Sequence, residues 1–236
     1  MVTCAWLIFA RSRSKRLPNK CYLDLNGKTM VEHIVFNLLS NKIRLNDIFL
    51  CTSYESADNR LVDIASNIGI QAVRGSEIYP IKRYFDNIDL FSGFKYISRV
   101  NGDSPFYEGR LGVDPLCMLA VAGLDPDIIS NLRERVFPSG MSVEIYKKTY
   151  LDALLSSNPS YPYLEHMSDL IDVGYSLHSS IVDITPRLPI QERFKTKLTI
   201  DSNDDFKYLL ELICSEEALH LREYFRSIDI EINLAS

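Results

Sequence analysis

Five cations stand within RSRSKRLPNK (11–20), namely Arg11, Arg13, Lys15, Arg16 and Lys20, with no acid among them. The run follows the apolar decapeptide MVTCAWLIFA, whose residues 2–10 read as a buried strand. In an open α/β sheet, ligands bind beyond the carboxyl ends of the strands, so this loop lies where a ligand should be. Clustered cations and free loop N–H groups suit a polyphosphate, whose charge they neutralise and whose oxygens they can fork. The same run would also serve as a solvated basic turn. It is not a Walker loop, because GxxxxGKS/T is absent, and no GxGxxG follows the first strand. A nucleotide held here would be cradled by side chains rather than glycines, and a mononucleotide triphosphate fits best.

Two carboxylates extend this chemistry. RVNGDSP (99–105) places Asp103 at the end of a predicted strand, beside Gly102, which permits close backbone approach. A carboxylate there can hold Mg²⁺, a hard ion that prefers oxygen ligands; it could equally cap a helix ahead of Pro105. LTIDSNDDF (198–206) repeats the pattern, with Asp201 as a second Mg²⁺ ligand and Ser202 or Asn203 as a helix cap. Asp204 and Asp205 complement the positive end of the following helix. Two strand-end aspartates and a cationic loop form a coherent phosphate-and-metal site.

The elements that must position these groups alternate in type. Strand-like runs at 2–10, 47–52, 70–73, 96–103 and 127–130 are separated by helical patterns at 29–42, 57–68, 80–92 and 111–123. Gly69 is placed to end the second helix. This β-α-β rhythm predicts a mostly parallel sheet with helices on both faces. Past residue 130 the rhythm loosens. Strands are expected at 141–146, 179–185 and 197–200, two short helical pieces between the first two, and helices at 203–214 and 216–226. The whole chain, 1–236, reads as one domain with a small β-rich excursion over about 131–190.

Composition bounds the partners. The chain has 236 residues, 46% hydrophobic and 24% charged, and 26 basic against 31 acidic residues give a net charge of −5. A duplex-binding protein would be expected to be basic overall, so nucleic acid is a poor partner and any bound anion is held locally. Five scattered cysteines without CxxC spacing argue against a thiolate metal site and for reduced thiols in the cytoplasm. The apolar N-terminus is too short for a membrane span, and its basic residues follow rather than precede it, the wrong polarity for a signal peptide.

RSRSKRLPNK followed by LDLNGKTMVEHIV resembles the opening of the spore-coat-polysaccharide type cytidylyltransferases, relatives of CMP-sialic acid and CMP-Kdo synthetases. The resemblance continues through VRGSE (73–77), IKRYFD (81–86), RVNGDSP, NLRERVFPSGMSVEIY (131–146) and LEHMSD (164–169), and closes with LTIDSNDDF. It implies a Rossmann-like, GT-A-like nucleotidyltransferase fold and transfer of CMP from CTP, with pyrophosphate released. Carried over by position, Arg11, Ser14, Arg16 and Lys20 would line the triphosphate loop. Arg74, Gly75 and Ser76 would lie near cytosine and ribose, Arg83 near the nucleotide, and Asp103 and Asp201 on Mg²⁺. Arg11, Arg16, Lys20 and Asp103 would be the catalytic groups.

The same resemblance places Arg135, Gly140, Glu144, Glu165 and His166 at the acceptor, an acidic sugar or a phosphonate or phosphorylated compound. It also implies a homodimer built through 131–190. Ser142 stands where the family often has Asp, and Leu164 where it often has Arg; both fall in the acceptor region. Read from the residues alone, Glu144 could simply occupy the solvent side of an alternating strand. Three rivals remain: a sugar-1-phosphate nucleotidyltransferase using UTP or GTP, a non-catalytic anion- or RNA-binding module, and an inactive relative. The second would be expected to interleave aromatics with its cations, and 11–20 has none.

Overall fold

A computed structural model describes residues 2–164 and 166–234. The chain opens with β1 (Cys4–Phe9), α1 (Met30–Ser40), β2 (Ile48–Ser53), α2 (Asn59–Ile68), β3 (Gln71–Gly75) and α3 (Pro80–Phe85). It continues through β4 (Tyr96–Asn101), α4 (Arg110–Val121), β5 (Ile128–Ser130), β6 (Glu144–Lys147), α5 (Lys148–Ser157) and α6 (Asp169–Ser176). It ends with β7 (Ile181–Pro186), α7 (Asn203–Ile213), α8 (Glu216–Ser227) and β8 (Ile230–Leu234). Eight strands form one sheet in the order β3-β2-β1-β4-β6-β5-β7-β8.

Strands β1 to β4 are parallel, as their β-α-β connections require, whereas β6 runs antiparallel to both β4 and β5. Side-chain alternation along β1 sends Cys4, Trp6 and Ile8 into one core and Ala5 and Leu7 into another. The first core packs α1, α2, α4, α7 and α8, the second α3, α5 and α6. Helices therefore cover both faces, as expected.

Local signals explain the element ends. The Thr29 side chain and Glu32 close a reciprocal cap at the start of α1. Ser202 and Asp205 do the same for α7, so Ser202 is the cap and Asp205 its partner. Gly69 ends α2 at φ 87°, the left-handed conformation that glycine adopts without cost.

The helix expected at 80–92 ends at Phe85 and is followed by a separate 3-10 turn at Ile88–Phe91, and two strand expectations also change. The predicted strand 197–200 joins no ladder and bends at Thr199: Leu198 N–H donates to the Ser139 carbonyl and Ile200 N–H to the Asp103 carbonyl, two different loops. Its β-forming residues have no neighbouring strand to pair with. The sequence reading also omitted β8, whose alternation is too short to separate from a tail; it pairs antiparallel with β7 at the sheet edge.

The switch point of the sheet falls between β1 and β4, where successive connections leave in opposite directions and a crevice opens. Phe9 and Asn101, the last residues of the two strands, stand in register, and the Gly102 N–H donates to the Phe9 carbonyl at 3.0 Å. A Cβ at Gly102 would lie 2.5 Å from that carbonyl oxygen and 2.7 Å from the Ala10 Cβ. Only glycine lets the turn carrying Asp103 sit this close to the start of loop 11–20.

That loop is clamped by a residue the sequence reading passed over. Asp58, buried just before α2, accepts from the Ser12 N–H at 2.7 Å, the Thr52 hydroxyl at 3.1 Å, and both the backbone N–H and the hydroxyl of Ser53. Burial alone would raise its pKa; the hydrogen bonds from Ser12 and Ser53 outweigh it and hold the carboxyl below its ordinary value. Ser12 in turn accepts from the Ser14 and Asn19 N–H groups, which curls the cationic run back on itself.

Two predictions follow from these contacts. Gly102→Ala is expected to destabilise the fold by about 1–3 kcal/mol, read as a lowered Tm, because backbone rather than a flexible side chain must give way. Asp58→Asn is expected to cost on the order of 1–3 kcal/mol at neutral pH. A depressed native pKa contributes stability above the unfolded value and loses it as pH falls through the native one. Denaturant unfolding of Asp58→Asn and the unchanged chain should therefore begin to converge only as pH falls below about 4; a pH-independent gap would exclude a role for the Asp58 charge.

Candidate active site

A cleft of about 270 Å³ opens over the carboxyl ends of β1 and β4. Its lining includes Arg11, Ser14, Lys15, Arg16 and Lys20 from the loop after β1, Arg83 from α3, Arg99 and Asn101 from β4, and Asp103 and His166. Residues far apart in sequence thus meet where the sheet topology opens a crevice.

Lys20 is the hub. Its ammonium lies 2.7 Å from Asp103 Oδ2, 3.1 Å from Asp201 Oδ1 and 2.6 Å from the Ile200 carbonyl oxygen. Only 12% of the side chain is exposed, so the contacts are poorly screened by water. Asp201 also receives Arg16 at 2.8 Å and Lys197 at 3.3 Å. Burial would raise the Asp201 pKa, but Lys20 first, then Arg16 and Lys197, pull it below its ordinary value. The segment 197–201 and the Ile200 bond to the Asp103 carbonyl bring Asp201 here.

The Mg²⁺ assignment can be weighed against these contacts. Among the described residues, Asp103 Oδ1 faces only the Ser104 hydroxyl, at 3.4 Å, so this carboxylate retains acceptor capacity beside the cleft. An oxygen ligand of this kind, completed by water and phosphate oxygens, fits Mg²⁺. Asp201 is ringed by three cations, and the Lys20 ammonium stands between the two carboxylates where a bridging ion would sit. Among the described residues, no three or more His, Cys, Asp or Glu side chains gather into an all-protein metal site. The donors present suit a metal that arrives with its phosphates.

Arg83, which lines the cleft, is held almost entirely by backbone carbonyls. It is 1% exposed, and its guanidinium donates to four backbone carbonyls: Ser76 at 2.9 Å, Cys51 at 3.1 Å, Glu77 at 3.2 Å and Ala10 at 3.4 Å. Burial lowers its pKa to about 10. It braces the ends of β1 and β2 against the turn before α3. Gly75 permits this, since a Cβ there would lie 2.7 Å from the Arg83 Cα. Arg11 donates to the same Glu77 carbonyl at 2.6 Å, and Arg13 pairs with the Glu77 and Glu55 carboxylates at the protein surface.

Other expected site residues fall outside the cleft lining. Arg74 donates to the Ser53 and Glu55 carbonyls and to the Asn59 side chain, tying β3 to the turn after β2. Ser76 accepts from the Tyr79 N–H. Arg135, at φ 50°, lines a separate hollow with Asn131, Pro138 and Ser142. Gly140, at φ 104°, lets its backbone approach Leu198, whose carbonyl oxygen would lie 2.8 Å from an added Cβ.

Glu144 is 1% exposed and paired with Arg99, which corrects the alternative that it lies on a solvent face. Glu165 lies outside the described residues. The sequence reading missed Arg99 and Lys197, along with Asp58. Arg99 had a usable signal, a cation four residues before Asp103 in a strand whose other side chains are mainly apolar.

Residues 5–120 match the family described as Cytidylyltransferase. An uncharacterized protein of Methanocaldococcus jannaschii is 28% identical over 206 residues, which span 87% of this chain and 81% of the archaeal one. A cytidylyltransferase from Leptospira borgpetersenii serovar Hardjo-bovis superposes with a TM-score of 0.80 at 25% identity, covering 96% of this chain and 94% of the other. The structure of CMP:2-keto-3-deoxy-manno-octonic acid synthetase complexed with CTP shares the fold, with a TM-score of 0.60 at 16% identity over 89% of this chain and 98% of its own. No helix among the described residues is long and apolar enough to cross a membrane. The chain is a nucleotidyltransferase, similar over residues 5–120 to the cytidylyltransferase family.

Proposed function

We propose that the protein transfers CMP from CTP to an acidic sugar acceptor, releasing pyrophosphate, in surface polysaccharide biosynthesis. The observation that carries this reading is the Lys20 ammonium held between Asp103 and Asp201 at the mouth of the cleft. An acceptor oxygen attacks the α-phosphorus in line with the departing pyrophosphate, a displacement that needs positioning and charge neutralisation more than covalent help. Arg11, Ser14, Arg16 and Lys20 bind the triphosphate from the loop after β1. Arg16 and Lys20 exchange carboxylate oxygens for phosphate oxygens as the nucleotide enters, and they stabilise charge growing on the pyrophosphate.

That exchange frees Asp103 and Asp201 to hold Mg²⁺, which when bound supplies further neutralisation at the phosphates. His166 and the hollow beside Arg135 face the acceptor. Arg83 and Arg74 shape the nucleoside end by bracing the β3–α3 turn. The segment 131–190 carries a homodimer contact.

Thermal melting with Mg²⁺ and each of CTP, UTP, GTP and ATP tests the donor. At a hundred times its dissociation constant a ligand adds about 2.7 kcal/mol, which for a chain of this size is a shift of roughly 5–10 °C. The shift is expected with CTP and to be lost in Lys20→Ala. Selective stabilisation by another triphosphate would replace the donor, and none with any would overturn the reading. Lys20→Ala and Asp103→Ala are each expected to lower turnover at least about a hundredfold; near-normal rates in folded variants would remove them from the mechanism.

A further inference from the structure

The stretch that leads from Asp103 into α4 is irregular yet buried. Ser104, Phe106, Tyr107 and Glu108 are each no more than 3% exposed, and they belong to no strand or helix. Buried backbone of this kind needs polar partners from other parts of the fold. Among the described residues, one hydrogen bond reaches the 104–108 backbone from another element: Asn37 Nδ2, on α1, donates to the Pro105 carbonyl at 2.9 Å. Asn37 is 1% exposed, and its other end, Oδ1, accepts from Arg222 Nη1 on α8. A carbonyl on one side and a guanidinium on the other fix which way the amide points.

Arg222 also touches this stretch directly. Its guanidinium carbon lies 5.0 Å from the centroid of the Phe106 ring, within cation–π range. A planar guanidinium can rest on a ring and donate along its edge at the same time, which an ammonium does less well. One turn further along α8, Arg226 Nε stands 3.6 Å from Glu108 Oε2, while Glu108 Oε1 accepts from the Arg110 N–H at 3.3 Å.

The same pair of helices anchors the second carboxylate. Asp201 and Ser202 stand immediately before α7, and their backbone N–H groups both donate to Asp205 at 2.9 Å. Leu209 and Leu212 of α7 share the first core with Leu221 and Phe225 of α8. One hairpin therefore holds Asp201 at the start of α7 and grips the 104–108 stretch from α8. Neither Asn37 nor Arg222 lines the cleft.

We infer that Arg222 is a positioning residue: through Asn37 and Phe106 it holds the turn of Asp103 at a fixed reach from Asp201, and so sets how tightly the site takes Mg²⁺ with its nucleotide. This rests on the nucleotidyl-transfer reading given above. A carboxylate on backbone that can drift must be ordered when the metal binds, and removing the groups that orient a ligand typically costs about 10–100-fold in metal affinity.

The test is thermal melting of the full chain with saturating CTP across a Mg²⁺ titration, read as the Mg²⁺ concentration that gives half of the metal-dependent shift. Arg222→Met keeps an unbranched side chain over Phe106 but has no donor, and is expected to raise that concentration at least about tenfold. The shift with CTP and EDTA should stay as in the unchanged chain. Arg222→Lys, whose ammonium can still donate to Asn37, should recover part of the loss. Asn37→Asp takes the donor away from Pro105 while leaving Arg222 a partner, so it carries the test if Arg222→Met does not fold, and it should raise the same midpoint. Gly69→Ala, strained at the far end of α2, is the stability control, with a lower Tm and an unmoved midpoint.

A lower Tm with an unmoved Mg²⁺ midpoint in the folded variants of Arg222 and Asn37 would make the network purely structural and overturn the assignment. An equal rise of the midpoint in Gly69→Ala would do the same. A CTP shift in the unchanged chain that does not depend on Mg²⁺ would remove the role of Arg222 while leaving nucleotide binding in place. No CTP shift at all would remove the nucleotidyl-transfer reading, and this assignment with it.

Discussion

The arrangement of the cleft depends on one ammonium group. Lys20 joins three segments that the chain delivers separately: the end of loop 11–20, the turn after β4, and the strip 198–201. Without a cation between them, Asp103 and Asp201 would repel each other across a few ångströms in a poorly solvated setting. With it, each carboxylate becomes an anchor for the loop. Asp58 holds the loop at its other end through the Ser12 N–H, so the cationic run is pinned at both ends.

The cations are therefore not an open basic patch. Arg13 is spent on Glu55 and Glu77, Arg16 on Asp201, and Lys20 on two aspartates and a carbonyl. In a protein with a net charge of −5, this local pairing keeps the loop from acting as a general sink for polyanions. A ligand gains only the difference between its own contacts and the carboxylate contacts it displaces. Such an exchange favours a phosphate chain that reaches several of these cations at once over a single stray anion.

Much of this was legible in the sequence because it rests on local periodicity. The α1 stripe of Val31, Ile34, Val35, Leu38 and Leu39, of which only Leu39 ends up exposed, the alternation in β1 and the glycine after α2 each announced their elements. The meeting of Lys20 and Asp103 followed from the rule that parallel strands present their ends at one edge. Burial and partnership were not legible. Arg83 looks like any cation on an amphipathic helix, yet its four carbonyl partners come from three separate turns or strand ends. Glu144 lies in an alternating run that could face either way, and only the antiparallel pairing with β4 turns it toward Arg99. The run 197–200 has strand-forming residues, but strand formation is decided by a neighbour the sequence does not name.

The reversed direction of β6 has one further effect. In a wholly parallel sheet, only the last residues of strands reach the ligand-binding edge, and each is tied to the register of its neighbours. Here β6 enters from that edge, so its first residue, Glu144, stands opposite Arg99, which lines the cleft, and the segment 131–143 lies ahead of it. That segment joins two short strands outside the β1–β4 block. Its length and side chains can change over evolutionary time without shifting the register that brings Phe9 and Asn101 together. The register that builds the cleft is thus bound to the fold, while the segment leading into β6 is open to exchange.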